Sequence, residues 1–179
     1  MTIKSAKHLD EICYPFIHEV SYLCDYEVLS DELATLVGMA ISSLPKTQAD
    51  MLEDLQRLQP MIFHANGSIR GRLALKEEDL EWLKERLNDY KSQIISPLKG
   101  FVLPRGTGTV AFLHQARSVS KKTIRALVRV DEEGVEVTPL LPRFFNICCN
   151  FFFVLTLLLN QQSHTDEPAF VSLSYGKAR

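Results

Sequence analysis

Five cationic side chains lie close together near the middle of the chain. Arg117, Lys121, Arg125 and Arg129 follow one another at intervals of four residues, and Lys122 stands beside them. In a helix this spacing stacks the side chains on one face. Like charges stacked in this way repel one another, so such a face needs open water, a bound anion, or acids from neighbouring helices. The spacing alone leaves these alternatives open.

A turn rich in glycine precedes the cationic segment. Pro104, Arg105, Gly106, Thr107 and Gly108 combine a preset proline turn, two glycines and a hydroxyl where a helix would begin. The free backbone amides at a helix N-terminus favour anions. A turn of this kind that leads into a cationic helix indicates a ligand that carries phosphate.

Hydrophobic spacing predicts the helices that would position this segment. The apolar pattern predicts helices over 10–25, from Ser30 to Pro45, from about Thr47 to Ala65, from about Lys76 to Ile94 and from about Arg143 to Asn160. Ser30 is the predicted N-cap of the second of these. In the cationic helix, the apolar residues are expected to face the core: Val110, Leu113, Ala116, Ile124 and Leu127. The predicted fold class is therefore all-α.

The last predicted helix is apolar on nearly every side. Its uncharged run from Phe144 to Leu159 is shorter than the roughly 20 residues that span a bilayer, and it contains Asn146 and Asn150. A helix of this kind outside a membrane must be buried. In a small bundle we expect that burial to involve other subunits.

Composition limits the other functions of the chain. Its 179 residues fit one domain, 46% are hydrophobic, 23% are charged and the formal net charge is −2. Bulk charge therefore does not favour nucleic acid. The four cysteines lack zinc-site spacing, and the mixed-charge N-terminus has no apolar core of a signal peptide. We expect a cytoplasmic protein with no nucleic-acid or membrane partner.

Three stretches resemble one family, the PduO-type ATP:cob(I)alamin adenosyltransferases. The central segment matches without a gap at Phe101, Leu103, Pro104, Gly106, Thr107, Leu113, His114, Ala116, Arg117, Val119 and Arg125. FFNICCNFFFVL, from Phe144 to Leu155, is similar to a second family motif. VLSDELATLVGMA, from Val28 to Ala40, is similar to a third.

The resemblance implies a fold, an activity and a domain layout. It implies a five-helix bundle that assembles as a homotrimer and transfers the 5′-deoxyadenosyl group of ATP, with Mg²⁺, to cobalamin or a related corrinoid. The family-like bundle would span 28–160, after a diverged segment 1–27 that is predicted to be partly helical and before a C-terminal tail 161–179.

The resemblance also implies roles for individual residues. Phe101 would lie against the lower face of the corrin ring and help to displace its lower axial ligand. Asp31 would form an ion pair with Arg117 across a subunit interface, and Asn146 would contact the nucleotide. The phosphate-binding positions would be Gly106, Thr107, Lys121, Lys122 and Arg125. Phe101 and Arg117 would be the catalytic residues, Phe101 toward the corrinoid and Arg117 toward ATP.

Without the resemblance, two of these residues have plainer interpretations. A lone aromatic such as Phe101 is usually a core residue, and Asp31 suits the first turn of the helix predicted from Ser30. His114 is expected to be a hydrogen-bonded helix histidine rather than a metal ligand.

The chain also departs from the family pattern. Members carry a glycine-containing N-terminal loop around the triphosphate, whereas no glycine precedes Gly38 here. Lys121 and Lys122 replace two arginines, which keeps the charge but loses the bidentate fork. Two functions therefore compete: an adenosyltransferase, and a non-catalytic corrinoid- or nucleotide-binding homologue that acts as a carrier or regulator.

Overall fold

Five α-helices make up most of the chain. The structure, a computed structural model, describes residues 8–95, 100–106 and 108–174. Its helices are α1 (Tyr22–Ser43), α2 (Ala49–Gly67), α3 (Glu77–Ser92), α4 (Thr109–Glu132) and α5 (Leu140–Gln162). Two short strands, β1 (Phe101–Val102) and β2 (Ala169–Phe170), form an antiparallel pair. The all-α prediction and the helices expected near α2, α3, α4 and α5 are confirmed.

The first helix differs from the prediction. It begins at Tyr22, where Ser21 is the N-cap and accepts a hydrogen bond from the amide of Leu23 at 3.2 Å. Ser30 is therefore not an N-cap. Its hydroxyl donates to the Tyr26 carbonyl at 2.7 Å, so the buried serine is satisfied within the helix and does not interrupt it. Asp31 consequently lies in the middle of α1, and its interpretation as a first-turn acid is wrong.

The helix predicted over 10–25 is wrong up to Ser21, and its last four residues belong to α1. Before Ser21 the described chain contains only a 3-10 turn at Leu9–Glu11, followed by turns. Pro15 lacks an amide hydrogen and disfavours a helix through this stretch. Tertiary contacts hold the segment instead, since the Arg70 guanidinium lies 4.2 Å from the ring centroid of Phe16 and forms an ion pair with Glu19.

The apolar helix α5 is buried by its own chain. It packs against α3 and α4, and its aromatic rings contact other elements edge to face. Phe145 lies 5.9 Å from Tyr26 of α1, and Phe151 lies 5.8 Å from Tyr90 of α3. Packing inside one chain buries Phe144, Phe151 and Phe152 completely, so a large part of α5 is covered without another subunit, and a contribution of other subunits to the rest stays a prediction.

By length and composition alone α5 is also a candidate membrane span. It has 23 residues and a mean hydropathy of 1.6 in its most apolar window, of which 56% is buried inside the bundle. Core helices of bundles have the same composition because every side meets apolar neighbours. Its position here is that of such a core helix.

Candidate functional site

Helix α4 has the two-sided character that its sequence predicts. Val110, Leu113, Ala116 and Leu127 are buried among the other helices. The opposite side carries the basic face, which we define as Arg117, Lys121, Lys122, Arg125 and Arg129. One helix thus contributes to the core and presents a row of positive charge.

The basic face is not neutralised by acids of the same chain. In the described part of the chain, none of its five cations lies within 4.0 Å of a carboxylate, although six such ion pairs form elsewhere. Acids on neighbouring helices therefore do not pair with the basic face in the described residues. An unneutralised row of this kind favours an anionic ligand.

Four of the five cations share a cleft between α1 and α4. Its volume is about 490 Å³. Its polar and aromatic lining consists of Lys121, Lys122, Arg125, Arg129, Tyr22 and Asp25. The Arg129 guanidinium lies over the Tyr22 ring at 4.8 Å. The cleft is open and has one acid against four cations, which suits a polyanion.

Arg117 lies apart from this cleft. Its guanidinium lies over the Phe153 ring of α5 at 5.0 Å, and its Nε atom is buried without a hydrogen-bond partner in the described residues. Burial raises the pKa of the neighbouring Cys149 thiol, and the positive charges of Lys121 and Arg117 oppose that rise. Arg117 therefore faces α5, whereas the four cations that follow it line the α1–α4 cleft.

Asn146 lies on the exposed side of α5. It stands three residues before Cys149, and its side-chain amide donates to the Pro142 carbonyl at 2.8 Å within the helix. It does not line the α1–α4 cleft. The role predicted for Asn146 therefore stays a prediction.

The glycine turn meets α4 in a conformation that requires glycine. Gly106 has φ = 143° and Gly108, the N-cap residue, has φ = 54°. A Cβ atom on Gly106 would lie 2.3 Å from Val110 Cγ1 and 3.0 Å from Asn160 Oδ1. Thr107 lies outside the described residues. The turn therefore packs its backbone directly against the start of α4 and the end of α5.

We expect Gly106→Ala to lower the free energy of unfolding by about 1–3 kcal/mol, because it adds backbone strain and steric overlap together. Thermal or urea unfolding followed by circular dichroism measures this. Gly134→Ala is the matched control, since Gly134 has φ = 85° but no atom within 4 Å of the added Cβ. Equal losses in the two variants would contradict the steric part of the explanation.

Phe101 is exposed, contrary to its interpretation as a core residue. Its side chain is 74% accessible, and it stands in β1 opposite Phe170 of β2. An aromatic ring held on the surface beside the start of α4 is available to a ligand, because no core residue covers it. We define the Phe101 loop as residues 101–106.

Three residues that the sequence did not single out as site residues hold this loop. Glu167 accepts a hydrogen bond from the Arg105 amide at 3.2 Å, and Asn160 donates to the Arg105 carbonyl at 2.9 Å. Pro168 accepts from the Leu103 amide at 2.8 Å. All three lie at or beyond the end of α5, where the sequence signal is the partial apolar alternation from Phe170 to Tyr175.

His114 contacts Glu167. Its Nε2 lies 3.0 Å from Glu167 Oε1, a close contact without hydrogen-bond alignment. Burial lowers the pKa of His114, and the nearby positive charge of Arg117 adds to this, while Glu167 opposes it. The described residues contain no group of three histidine, cysteine or acidic side chains able to hold a metal ion.

Asp31 and Arg117 do not form an ion pair within one chain. Asp31 is exposed on α1 and lines a cleft of about 440 Å³ together with Glu27, Phe63 and Asn66. This cleft lies on the α2 side of α1, whereas Arg117 faces α5. The two residues therefore belong to different surfaces of the bundle.

Comparisons with known proteins all point in one direction. A family model described as "Cobalamin adenosyltransferase" matches residues 29–159. A corrinoid adenosyltransferase of Bacillus subtilis is 26% identical over 140 residues, which cover 74% of this chain and 72% of that protein. A cobalamin adenosyltransferase of Cupriavidus metallidurans is 30% identical over 134 residues, with coverages of 73% and 71%. The human corrinoid adenosyltransferase MMAB is 24% identical, and the match covers 60% of its length.

The fold is likewise similar to solved structures. A variant of the PduO-type ATP:corrinoid adenosyltransferase from Lactobacillus reuteri, complexed with cobalamin and ATP, has a TM-score of 0.76 and 21% identity. The superposition covers 87% of this chain and 89% of that one. The helical architecture is therefore shared over nearly the whole of both chains.

Proposed function

The chain belongs to the cobalamin adenosyltransferase family, and we propose that it transfers the 5′-deoxyadenosyl group of ATP to the cobalt of cob(I)alamin or a related corrinoid. The observation that carries this proposal is the basic face of α4, whose cations have no acidic partner in the described residues. A triphosphate is the anion that this row fits. The exposed Phe101 loop adjoins the start of the same helix.

The reaction requires little covalent chemistry from the protein. Cobalt of the substrate supplies the electron pair that forms the bond to the 5′ carbon of ATP, and triphosphate leaves with the electrons of the broken C–O bond. The protein must therefore bind and orient the two substrates, exclude water and stabilise the charge on the leaving group. The cations along α4 are the groups that would stabilise the charge on the leaving group.

We assign the triphosphate to the cations of the α1–α4 cleft. Lys121, Lys122 and Arg125 line it, and their charge would stabilise the leaving triphosphate as negative charge accumulates there. Two of the three are lysines, which act as point charges rather than bidentate forks. The phosphate contact predicted for Gly106 does not fit this assignment within one subunit, because Lys121 lies about 18 Å along α4 from the first residue of that helix. Asn146 would contact the nucleotide from α5.

Mg²⁺ would arrive with the nucleotide. This ion usually binds to substrate phosphates and one or two carboxylates, and it keeps several waters. We therefore treat MgATP as the substrate form.

We further propose a cyclic homotrimer. Asp31 and Arg117 lie on different surfaces, so a pair between them requires the α1–α2 surface of one subunit to meet the α4–α5 surface of the next. Such a head-to-tail contact gives a closed ring when the rotation between subunits is 120°, and we propose this closed form. Exposed Val28 and Phe63, which also line the Asp31 cleft, would provide apolar contact area there.

The second candidate function is a carrier or regulator that binds a corrinoid or a nucleotide without turnover. One observation favours it: in place of a glycine-containing N-terminal loop, residues 14–19 pack on Arg70 through Phe16 and Glu19. A cytoplasmic location belongs to either proposal. It is supported by the four free cysteines, which suit a reducing compartment.

Calorimetric titration with MgATP, together with the visible spectrum of added cob(II)alamin, tests the proposal. We expect nucleotide binding and the spectrum of four-coordinate cobalt, followed by formation of adenosylcobalamin when a reductant and MgATP are present. Corrinoid binding without nucleotide binding would indicate the carrier. Absence of both would overturn the two functions and leave the fold assignment unaffected.

A further inference from the structure

The chain reverses direction after α5 and returns to the Phe101 loop. His164 adopts a left-handed conformation, with φ = 53°, immediately after the helix. The Thr165 amide donates to the Asn160 carbonyl at 2.9 Å, and the His164 amide donates to the Gln161 carbonyl at 3.3 Å. These are the two bonds of a Schellman motif. The motif directs residues 165–170, which we call the C-terminal strap, across the start of α4.

The strap supplies the hydrogen-bond partners of the loop backbone. Phe101 is opposite Phe170, and Val102 is opposite Ala169, in the β1–β2 pair. The Leu103 amide continues the pairing by donating to the Pro168 carbonyl. In the described part of the chain β2 is the only strand that pairs with β1. A two-residue strand has no stability of its own, so the backbone at Phe101 depends on the strap.

A buried carboxylate fixes the strap in register. The side chain of Glu167 is only 4% exposed, and it contacts the Arg105 amide and His114 Nε2. Burial of a carboxylate is costly unless a donor satisfies it, so this side chain is held where the Arg105 amide can donate to it. Asn160 binds the carbonyl of the same Arg105 residue. Glu167 and Asn160 thus bind both backbone groups of Arg105 in the Phe101 loop.

We propose that the C-terminal strap forms part of the corrinoid side of the site and that Glu167 is a positioning residue for Phe101. The identity of the ligand rests on the proposed function, whereas the effect of Glu167 on the backbone of the Phe101 loop does not. Phe101 presents its ring to solvent while its backbone is held by strap residues alone among the described residues. Glu167 acts through the Arg105 amide and His114, and it touches no substrate.

The test compares three full-length variants: Glu167→Ala, Glu167→Gln and the control Asp166→Ala. Asp166 is an exposed acid beside Glu167 and makes no hydrogen bond in the described residues. Amide hydrogen exchange is measured on the protein without ligand. We expect the amides of Leu103 and Arg105 to exchange about tenfold faster in Glu167→Ala, the change that corresponds to the loss of one hydrogen bond of about 1.4 kcal/mol. Glu167→Gln keeps an acceptor oxygen and should restore part of the protection.

The second measurement is the visible spectrum of cob(II)alamin bound to the same variants with MgATP. We expect the four-coordinate fraction to fall several-fold in Glu167→Ala, while the affinity for MgATP stays within twofold of the parent. Unchanged exchange at Leu103 and Arg105, or faster exchange spread evenly over all five helices, would contradict the claim that Glu167 and the strap hold the backbone of the Phe101 loop. Faster loop exchange with an unchanged cobalt spectrum would overturn the positioning role. If the parent protein does not show the spectrum of four-coordinate cobalt, the proposed function fails. The exchange data then still test whether Glu167 holds the Phe101 loop.

Discussion

In light scattering, Asp31→Arg and Arg117→Asp are each expected to convert the trimer into monomers, and the double variant to restore it. Each single reversal places two like charges at every contact between subunits. Loss of a close interfacial charge pair costs about 2–5 kcal/mol per contact, and a cyclic trimer has three such contacts. The double variant re-creates the pair with its charges exchanged.

Two features of the structure shape the controls for this experiment. Arg117 also packs over Phe153 inside its own chain, so the monomers must be shown to retain the helical circular dichroism of the parent. Glu32→Arg is the matched charge reversal, because Glu32 is the neighbour of Asp31 on α1. Dissociation of the Glu32 variant, or failure of the double variant to reassemble, would contradict a specific bridge.

Phe101→Ala is expected to lower kcat/KM for the corrinoid about 10- to 100-fold and to leave MgATP binding unchanged. Burial of a phenyl ring against an apolar surface contributes roughly 1.5–3 kcal/mol, and each 1.36 kcal/mol is a factor of ten in rate. The ring is 74% exposed in the protein, so its removal leaves the core intact. Turnover measured at varied corrinoid and fixed MgATP concentrations gives the ratio.

A second exposed apolar residue provides the comparison. Leu173→Ala removes a fully exposed side chain in the same C-terminal region but beyond the strap. We expect this variant to keep the parent kinetics. A loss of MgATP affinity in Phe101→Ala, or a fall in its melting temperature of more than a few degrees, would argue that the ring serves the fold rather than the corrinoid.

The proposals for Phe101 and Glu167 predict different effects of the two variants on the Phe101 loop. Removal of the Phe101 ring takes away a ligand contact and leaves the backbone pairing with Phe170 in place. Removal of the Glu167 carboxylate leaves the ring but loosens the backbone that carries it. Hydrogen exchange in the loop should therefore be unchanged in the first variant and faster in the second.

The sequence by itself determined the features that depend on local periodicity. The four-residue spacing places Lys121, Arg125 and Arg129 along one cleft, as expected, and Val110 and Leu113 lie in the core. Arg117, one turn earlier, faces α5 instead. The apolar pattern also located α2, α3 and α5 within a few residues. Local patterns are sufficient here because helical geometry fixes the side on which each residue lies.

Tertiary structure decided where local signals were ambiguous or absent. Ser30 reads as an N-cap, but Tyr26 occupies the core one turn earlier and the helix continues through the serine. Phe101 reads as a core residue, but the core is filled by α5 rings, and the loop leaves it on the surface. The sequence did not indicate that the strap pairs with β1. Glu167 meets Arg105 and His114 only after the chain has turned at His164, and contacts between residues more than fifty positions apart leave no local pattern in the sequence.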